Sequence, residues 1–469
     1  MKNSSMITVS ILACMVLGTG LWTMARQTTG QNGGIVAPSM EQARNIYISM
    51  NADEARMSKP IISTHYGPDE AAAIHPILRW NRIDGAVMYN IQVLRKHDPE
   101  ENETELYDMI MPMKRAYTNA CELALPEDFT DDQFYWRVCG VDLKGNSISA
   151  YSDLEHTYVD HMKPVLEKPV PLSVYNQGWG QVLLYPVYDW ISIPGAASYE
   201  VEILDDMPEN PNDIDPSAHR IDVYHPQYAE QYDQQPRMSD RPFYWRVRAL
   251  DEDGDPLGVY SDARSFVTNP ADTWVAALYG DSITHGGGSL SYSPADWDFS
   301  YAAYLDFPTV NLAESGDTSA MTAARFQKDV VPFHPEYLLI LMGSNSLRAG
   351  VSAEDVIADM ESVRSQCLAN GIKPVFLTVP PINADNIKEA FDQPTAFGWR
   401  EEADTVNEYV RSQVHIDITE GMEDERGNLR TDLALDGLHP DPPGKRMMAE
   451  AINAAWPDII ALPDSTWNK

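Results

Sequence analysis

A repeat constrains this chain more than any other feature of its 469 residues. Tyr135-Trp136-Arg137-Val138 returns as Tyr244-Trp245-Arg246-Val247, and Tyr151-Ser152-Asp153 returns as Tyr260-Ser261-Asp262, both shifted by 109 positions (135 to 244, 151 to 260). Upstream, Trp80 in Leu78-Arg79-Trp80-Asn81 has its counterpart in Trp190 of Tyr188-Asp189-Trp190-Ile191. A Gly-Ala pair follows each (Gly85-Ala86, Gly195-Ala196), and then an alternating stretch, Tyr89-Asn90-Ile91-Gln92-Val93 or Tyr199-Glu200-Val201-Glu202-Ile203. Alternation with period two puts every second side chain on one face, and strands of this kind separated by turns bury that face by closing two sheets over one core. Two β-sandwiches are expected, at about residues 60–160 and 165–268. Phe134, Trp136 and Val138 then face the core, and Arg137 and Cys139 face outward. Arg248 holds the Cys139 position in the second copy, which fits an exposed site.

After Asn269-Pro270 the pattern changes. Short apolar runs at 274–279, 310–313, 337–342, 374–378 and 415–418 alternate with helical stretches. One helix starts at the capping box Ser352-Ala353-Glu354-Asp355, carries Val356, Met360, Val363 and Cys367 on one face, and ends at Asn370-Gly371. Others are expected over 401–413 and 444–455. Five strands alternating with helices predict an α/β domain of about residues 270–463, with a parallel sheet covered on both faces.

Chemistry is expected where strands of such a sheet end. The first strand runs into Gly280-Asp281-Ser282-Ile283-Thr284, which places a serine hydroxyl at the top edge of the sheet. The second ends in Glu314-Ser315-Gly316 and the third in Gly343-Ser344-Asn345, so a glycine amide and an asparagine amide can converge on one developing oxyanion. Near the C-terminus, Asp436-Gly437-Leu438-His439-Pro440 sets a carboxylate three residues before an imidazole. The carboxylate can accept a hydrogen bond from one ring nitrogen and leave the other nitrogen free to accept from a hydroxyl. Singly, each piece also reads as an ordinary turn, a helix start, a capping residue or a solvated surface histidine.

Together these blocks resemble the SGNH/GDSL-type hydrolase family. Its four namesake residues fall on Ser282, Gly316, Asn345 and His439, and Gly444 to Ile452 looks like the family's last helix. The resemblance implies a flavodoxin-like five-stranded fold and serine ester hydrolysis through an acyl-enzyme. Ser282 is then the nucleophile, His439 the base and Asp436 its orienting carboxylate. The amides of Ser282 and Gly316 and the Asn345 side chain form the oxyanion hole, and no metal or organic cofactor is needed. In one place the chain departs from the family, which usually has Asp after the block's Asn; here Ser346 stands there. The two repeats resemble fibronectin type III domains, which implies spacing or presenting the hydrolase, with glycan binding as the alternative.

The formal charge of −36 repels nucleic-acid backbones and anionic bilayers, so neither is an expected partner. Lys2, the uncharged apolar run from Met6 to Trp22 and Thr23-Met24-Ala25 read as an export signal over residues 1–25, followed by a linker segment at 26–59. An uncleaved anchor is the rival; Cys14 is not expected to carry lipid, because Met15-Val16-Leu17 prolong the apolar run past it. An extracytoplasmic location follows. Of the three remaining cysteines, Cys367 is expected as a buried thiol, and a Cys121–Cys139 bridge stays open. An exported modular esterase points to acyl esters of carbohydrates, acetyl above all, as small molecules or polysaccharides. The alternatives are a lipid esterase, lysophospholipase or thioesterase on the same core, or a non-catalytic glycan-binding or surface interaction protein. The aromatics of the 291–301 loop are expected to pack that loop rather than wall a pocket, and Gly286-Gly287-Gly288 beside Ser282 permits a sharp turn or a close substrate approach.

Overall fold

The computed structural model describes residues 58–468 apart from 84, 85, 87, 98–105, 143, 144, 166, 174–181 and 289–292. The proposed signal, the linker up to residue 57, Cys14, Gly85, Ser291 and Tyr292 therefore lie outside the described residues.

In the first copy, β1 (Ile77–Arg79) pairs antiparallel with β5 (Ala120–Glu122). A second sheet holds β2 (Met88–His97), β3 (Leu106–Met109), β4 (Lys114–Ala116), β6 (Gln133–Val141) and β7 (Glu155–Tyr158), in the order β3-β2-β6-β7 with β4 also on β2. The second copy repeats the plan. There β8 (Val187–Asp189) pairs with β11 (Glu230–Tyr232), and β9 (Ser198–Leu204), β10 (Arg220–Tyr224), β12 (Phe243–Leu250) and β13 (Arg264–Phe266) run β10-β9-β12-β13.

The repeated residues turn out to be repeated devices. Trp80 meets Trp136 at 6.2 Å between ring centroids, and Trp190 meets Trp245 at 6.4 Å, so each pair joins the two sheets of its own copy. The Tyr89 and Tyr199 hydroxyls each accept from an amide six residues back, Ile83 and Ile193, at 3.0 Å. The Ser152 and Ser261 hydroxyls each accept from Val138 and Val247 at 3.1 Å. A motif kept at fixed spacing is here a hydrogen bond kept at fixed geometry.

The outward face of β6 departs from expectation. Phe134, Trp136 and Val138 are fully buried as expected, but so is Cys139. It lies under Met88, Val141, Tyr151 and Leu435, the last of these contributed by the α/β domain. Arg137 is half-buried against the Tyr151 ring at 4.4 Å. Arg248, expected in the open, is likewise largely covered and sits over Tyr260 at 4.9 Å. In the second copy that face buries Glu202 and Arg246 completely as an ion pair, with Arg220 as a further partner of Glu202. Cys121, Cys139 and Cys367 are all buried free thiols, so the bridge left open above is not formed.

The α/β domain has five parallel strands: β14 (Ala276–Gly280), β15 (Thr309–Asn311), β16 (Tyr337–Leu341), β17 (Lys373–Leu377) and β18 (His415–Ile416), in the order β15-β14-β16-β17-β18. The helices are α1 (Ser282–His285), α2 (Ser319–Asp329), α3 (Ser344–Arg348), α4 (Ala353–Ala369), α5 (Ala384–Phe391), α6 (Trp399–Ser412) and α7 (Pro442–Ile460). Side chains alternate between two cores along each strand. Leu278, Leu339 and Val375 join Met448 and Ile452 of α7 on one face. Tyr279, Leu338, Ile340 and Phe376 join Phe326, Met360 and Val406, from α2, α4 and α6, on the other. Burial on both faces is why these strands read as continuous apolar runs. The expected cap is in place, with Ser352 accepting from the Asp355 amide at 3.2 Å.

The edge strand β15 is not left open. Leu183 forms a parallel bridge with Asn311, Leu184 N donates to Asn311 O at 2.9 Å, and Asn311 N donates to Val182 O at 2.9 Å. A segment of the second sandwich region thus extends the parallel sheet and blunts its edge. Instead of standing off as a spacer, that region shares a sheet and a core with the α/β domain.

Candidate active site

β14 delivers Ser282 through a turn that only glycine allows. Gly280 has φ +156°, and a Cβ there would lie 1.8 Å from the Leu341 carbonyl of the neighbouring strand. Asp281 then caps α1, accepting from the Ile283 amide at 3.1 Å, which leaves Ser282 first in the helix at the carboxyl edge of the sheet. Burial pushes the Asp281 carboxyl up to about 6. Behind the same turn the fully buried Lys445 donates to Ile283 O at 2.6 Å, and burial brings its ammonium down to about 7. Sequence reading singled out neither group for a role. Asp281 lies inside the nucleophile motif, and Lys445 inside the stretch that resembles the family's last helix.

Asp436 and His439 meet Ser282 from the loop before α7. Gly437 has φ +80°, and a Cβ would come within 2.4 Å of Asn383 O, so the tight Asp-Gly-Leu-His turn needs this glycine. The turn brings the Leu438 and His439 amides onto Asp436 Oδ1, each at 2.8 Å, while Oδ2 faces His439 Nδ1 at 2.8 Å. His439 Nε2 lies 2.9 Å from Ser282 Oγ. Burial alone would raise the Asp436 carboxyl. The facing imidazole and the two amides outweigh it and hold the group below the usual range, so it stays a carboxylate although its side chain is fully covered. The arrangement can take the serine proton onto Nε2 while Asp436 holds the Nδ1 proton.

Gly316 and Asn345 stand beside Ser282 on the wall of one cavity. Asn345 Nδ2 donates to Asp317 O at 2.9 Å, which uses one of its two protons and fixes the amide plane, leaving the second for the cavity. Asn311, in the strand before the glycine block, ties the nucleophile turn down by donating to Thr284 O at 2.9 Å and His285 O at 3.1 Å. Ser346 accepts from the Ser319 amide at 2.9 Å, and its hydroxyl lies 3.0 Å from Ser319 Oγ, which in turn donates to Asp359 at 2.6 Å. The carboxylate missing from position 346 is thus supplied from α4 through a serine bridge.

The cavity measures about 530 Å³ and also takes in Gly286, Gly287, Gly288, Glu314, Arg348, Phe391, Gln393 and Leu438. Tyr232, Asp233 and Gln234 of the second sandwich region complete its wall. The aromatics Phe299 and Tyr301 of the 291–301 loop are buried away from it, packing the loop as expected. The sandwich wall is held by His285, whose Nε2–H donates to Tyr185 O at 2.7 Å while its Nδ1 accepts from Ser315 at 2.9 Å. Burial brings this imidazole down to about 4, so it is neutral with a fixed tautomer. Among the described residues one group could hold a metal ion, His75, Glu122 and Glu167, whose ligand atoms lie within 4.8 Å of one another; none of the three lines the cavity.

The profile of the GDSL-like Lipase/Acylhydrolase family matches residues 278–447, a stretch that contains every one of the blocks brought together here. Residues 278–447 form a GDSL-type acylhydrolase domain. Serine ester hydrolysis is the chemistry of that family, and the match gives this chain the same general class, a carboxylic ester hydrolase. The acylhydrolase domain is similar to three solved structures, each covering well under half of this chain. They are a GDSL-like lipase from Bacteroides thetaiotaomicron (19% identity, 39% of this chain and 88% of that one, TM-score 0.31), a lipase/acylhydrolase from Enterococcus faecalis (24%, 38% and 93%, 0.29) and the psychrotrophic esterase EstA from Pseudoalteromonas sp. (12%, 40% and 98%, 0.32). No curated protein matches the sequence.

Proposed function

We propose that the protein is an exported serine esterase that removes acyl groups, acetyl above all, from carbohydrates. The observation that carries the reading is the unbroken series Ser282 Oγ, His439, Asp436, with contacts of 2.9 and 2.8 Å on the wall of an open cavity. In this reading His439 takes the Ser282 proton as Oγ attacks the ester carbonyl. The Ser282 and Gly316 amides and the Asn345 side chain receive the oxyanion. His439 then protonates the leaving alcohol, and a water activated by the same nitrogen releases the acyl group from Ser282.

The sugar is favoured by what lines the cavity. Gln234, Gln393, Arg348 and Glu314 offer hydrogen bonds suited to hydroxyl-rich alcohols, and Tyr232 and Phe391 offer rings for a sugar face. Among the described lining residues the large aliphatic side chains are limited to Leu438, too little to hold a long acyl chain. Export rests on the basic start and apolar run of residues 1–25. The repeats at 60–160 and 165–268 are taken as fibronectin III-like modules ahead of a hydrolase domain at 270–463.

The test is a panel of acetylated oligosaccharides, short p-nitrophenyl esters and lysophospholipids, run on the full chain and on Ser282→Ala. The expected result is acetate release from the sugar, lost by about 10^6-fold in kcat in the variant with its fold intact. Preference for the lysophospholipid would replace the carbohydrate reading. Failure to hydrolyse any ester or to react with a serine-directed phosphonate would leave a binding protein.

A further inference from the structure

Charge is balanced unevenly around the cavity. Its two acidic residues each have an arginine within reach: Asp233 binds Arg237 at 2.7 Å, shared with Asp222, and Glu314 stands 3.8 Å from Arg325, which Asp317 and Asp329 hold more closely. Arg348, the single lysine or arginine among the described lining residues, has no such partner. It makes two long contacts to neutral amide oxygens, Asn345 Oδ1 and Gln393 Oε1, both at 3.4 Å, and no ion pair with any described carboxylate. Its Nε is buried with no hydrogen-bond acceptor. In a chain with 70 acidic and 34 basic residues, a guanidinium that feels Asp436 and Asp281 only at a distance and makes no contact ion pair with a described carboxylate is an exception that needs a cause. A half-buried cation with an orphaned N–H is costly unless something supplies the missing acceptor.

The position of Arg348 says which part of a substrate could do so. His439 must hand its proton to the leaving alcohol, so the alcohol lies on the His439 side of Ser282. Phe391 marks that side, its ring edge-on to His439 at 6.1 Å. Gln393, two residues on, is one of the two groups Arg348 touches, the other being Asn345. A planar guanidinium with free N–H groups is the natural receiver of a planar oxyacid.

We propose that Arg348 is a specificity residue that binds an anion on the alcohol half of the ester, and that the preferred substrate is an acylated acidic sugar whose carboxylate it receives. This rests on the serine-esterase reading above and narrows its substrate. The carboxylate replaces the two long amide contacts, gives the Nη groups a charged acceptor, and orients the ring so that the acylated oxygen faces His439.

The experiment compares an O-acetylated uronic acid with its methyl ester, which differs only in the masked carboxylate, on wild type, Arg348→Gln, Arg348→Lys and Arg348→Glu. The readout is the ratio of kcat/KM for acid over methyl ester within each variant, so a general loss of rate or folding cancels. Wild type is expected to favour the free acid by about tenfold to a hundredfold, through KM. The ratio should fall to about one in Arg348→Gln, recover in part in Arg348→Lys and drop below one in Arg348→Glu, as a charge-assisted contact is lost, replaced or reversed. An acyl glycerophosphate set against the uncharged acyl glycerol assigns the source of the anion: an Arg348-dependent preference there and not on the sugar would overturn the sugar acid. A wild-type ratio near one with both acetyl sugars hydrolysed would overturn the role of Arg348 and leave the esterase standing. If p-nitrophenyl acetate is not turned over either, it is the esterase reading that fails.

Discussion

Replacing Asp436 by Asn tests the relay at its least replaceable joint. Oδ1 accepts from two amides and Oδ2 from one ring nitrogen, all at 2.8 Å. An asparagine must set its NH2 at one of these places. Turned toward the amides it would face two donors and forfeit two hydrogen bonds, about 1 kcal/mol each with the desolvation of the stranded groups on top. It therefore keeps its carbonyl there and points NH2 at Nδ1. That bond requires Nδ1 to accept, so the ring proton moves to Nε2, 2.9 Å from Ser282 Oγ, where a base is needed. The wrong tautomer is expected to lower kcat by about 10^4-fold, equivalent to about 5.5 kcal/mol of barrier. KM should change little, because Asp436 is fully covered and does not line the cavity. Steady-state hydrolysis of p-nitrophenyl acetate, with the thermal unfolding midpoint as a check on folding, measures both. A folded variant that keeps more than about a tenth of wild-type kcat would show that another group orients His439, and the assignment of Asp436 would fall.

Asn345→Ala is expected to cost about a hundredfold to a thousandfold in kcat, since one preorganised donor is lost where charge develops; a loss under about tenfold would remove Asn345 from the oxyanion hole. Stability should fall as pH drops from about 6.5 to about 4. Over that window the unfolded chain takes up the proton that native His285, held at about 4, refuses, so its contribution is complete above the window and lost through it. His285→Gln, which keeps a donor for Tyr185 O, should show a smaller drop in urea midpoint between pH 7.5 and 5, and an equal drop would acquit His285. Cys121, Cys139 and Cys367 are buried and burial raises each thiol, Cys121 to about 12, so none should react with a disulfide reagent until denaturant is added. Rapid modification of the native protein would contradict this packing.

What the sequence made legible is what its local patterns control. Alternation on β2 and β9 identifies Tyr89, Ile91, Tyr199 and Val201 as core, because a strand's two faces are set by neighbours in sequence. The strand-end motifs placed Ser282, Gly316 and Asn345 around one cavity because a parallel sheet aligns its carboxyl ends. Docking between regions left no such trace. Cys139 sits on the face expected to meet water, yet Leu435, nearly 300 positions away, covers it (435 − 139 = 296). Tyr232 reads as one more strand tyrosine and becomes cavity wall only because the 182–185 segment binds β15. Lys445 and Arg246 carry charges that rarely lie fully buried, yet both do, each made tolerable by a partner that tertiary structure brings: Ile283 O for one, Glu202 for the other.

Ser346 gives the departure from the family pattern a physical content. Restoring the family's usual residue with Ser346→Asp would bring a carboxylate into a site that is already served. The Ser319 hydroxyl has one proton and gives it to Asp359 at 2.6 Å, so the Ser346 hydroxyl must be the donor in its own 3.0 Å contact with Ser319. An aspartate has no proton to give. It would compete for the Ser319 proton and set a second negative charge beside Asp359, at a position buried to within 1%. The substitution is expected to destabilise by about 1–3 kcal/mol, the cost of a buried group left without its partner. Ser346→Asp combined with Asp359→Asn removes the competing charge and should recover most of the loss, a coupling that a double-mutant cycle on urea midpoints reads directly. A higher midpoint for Ser346→Asp alone would mean that the Ser346–Ser319–Asp359 bridge does not brace the start of α2.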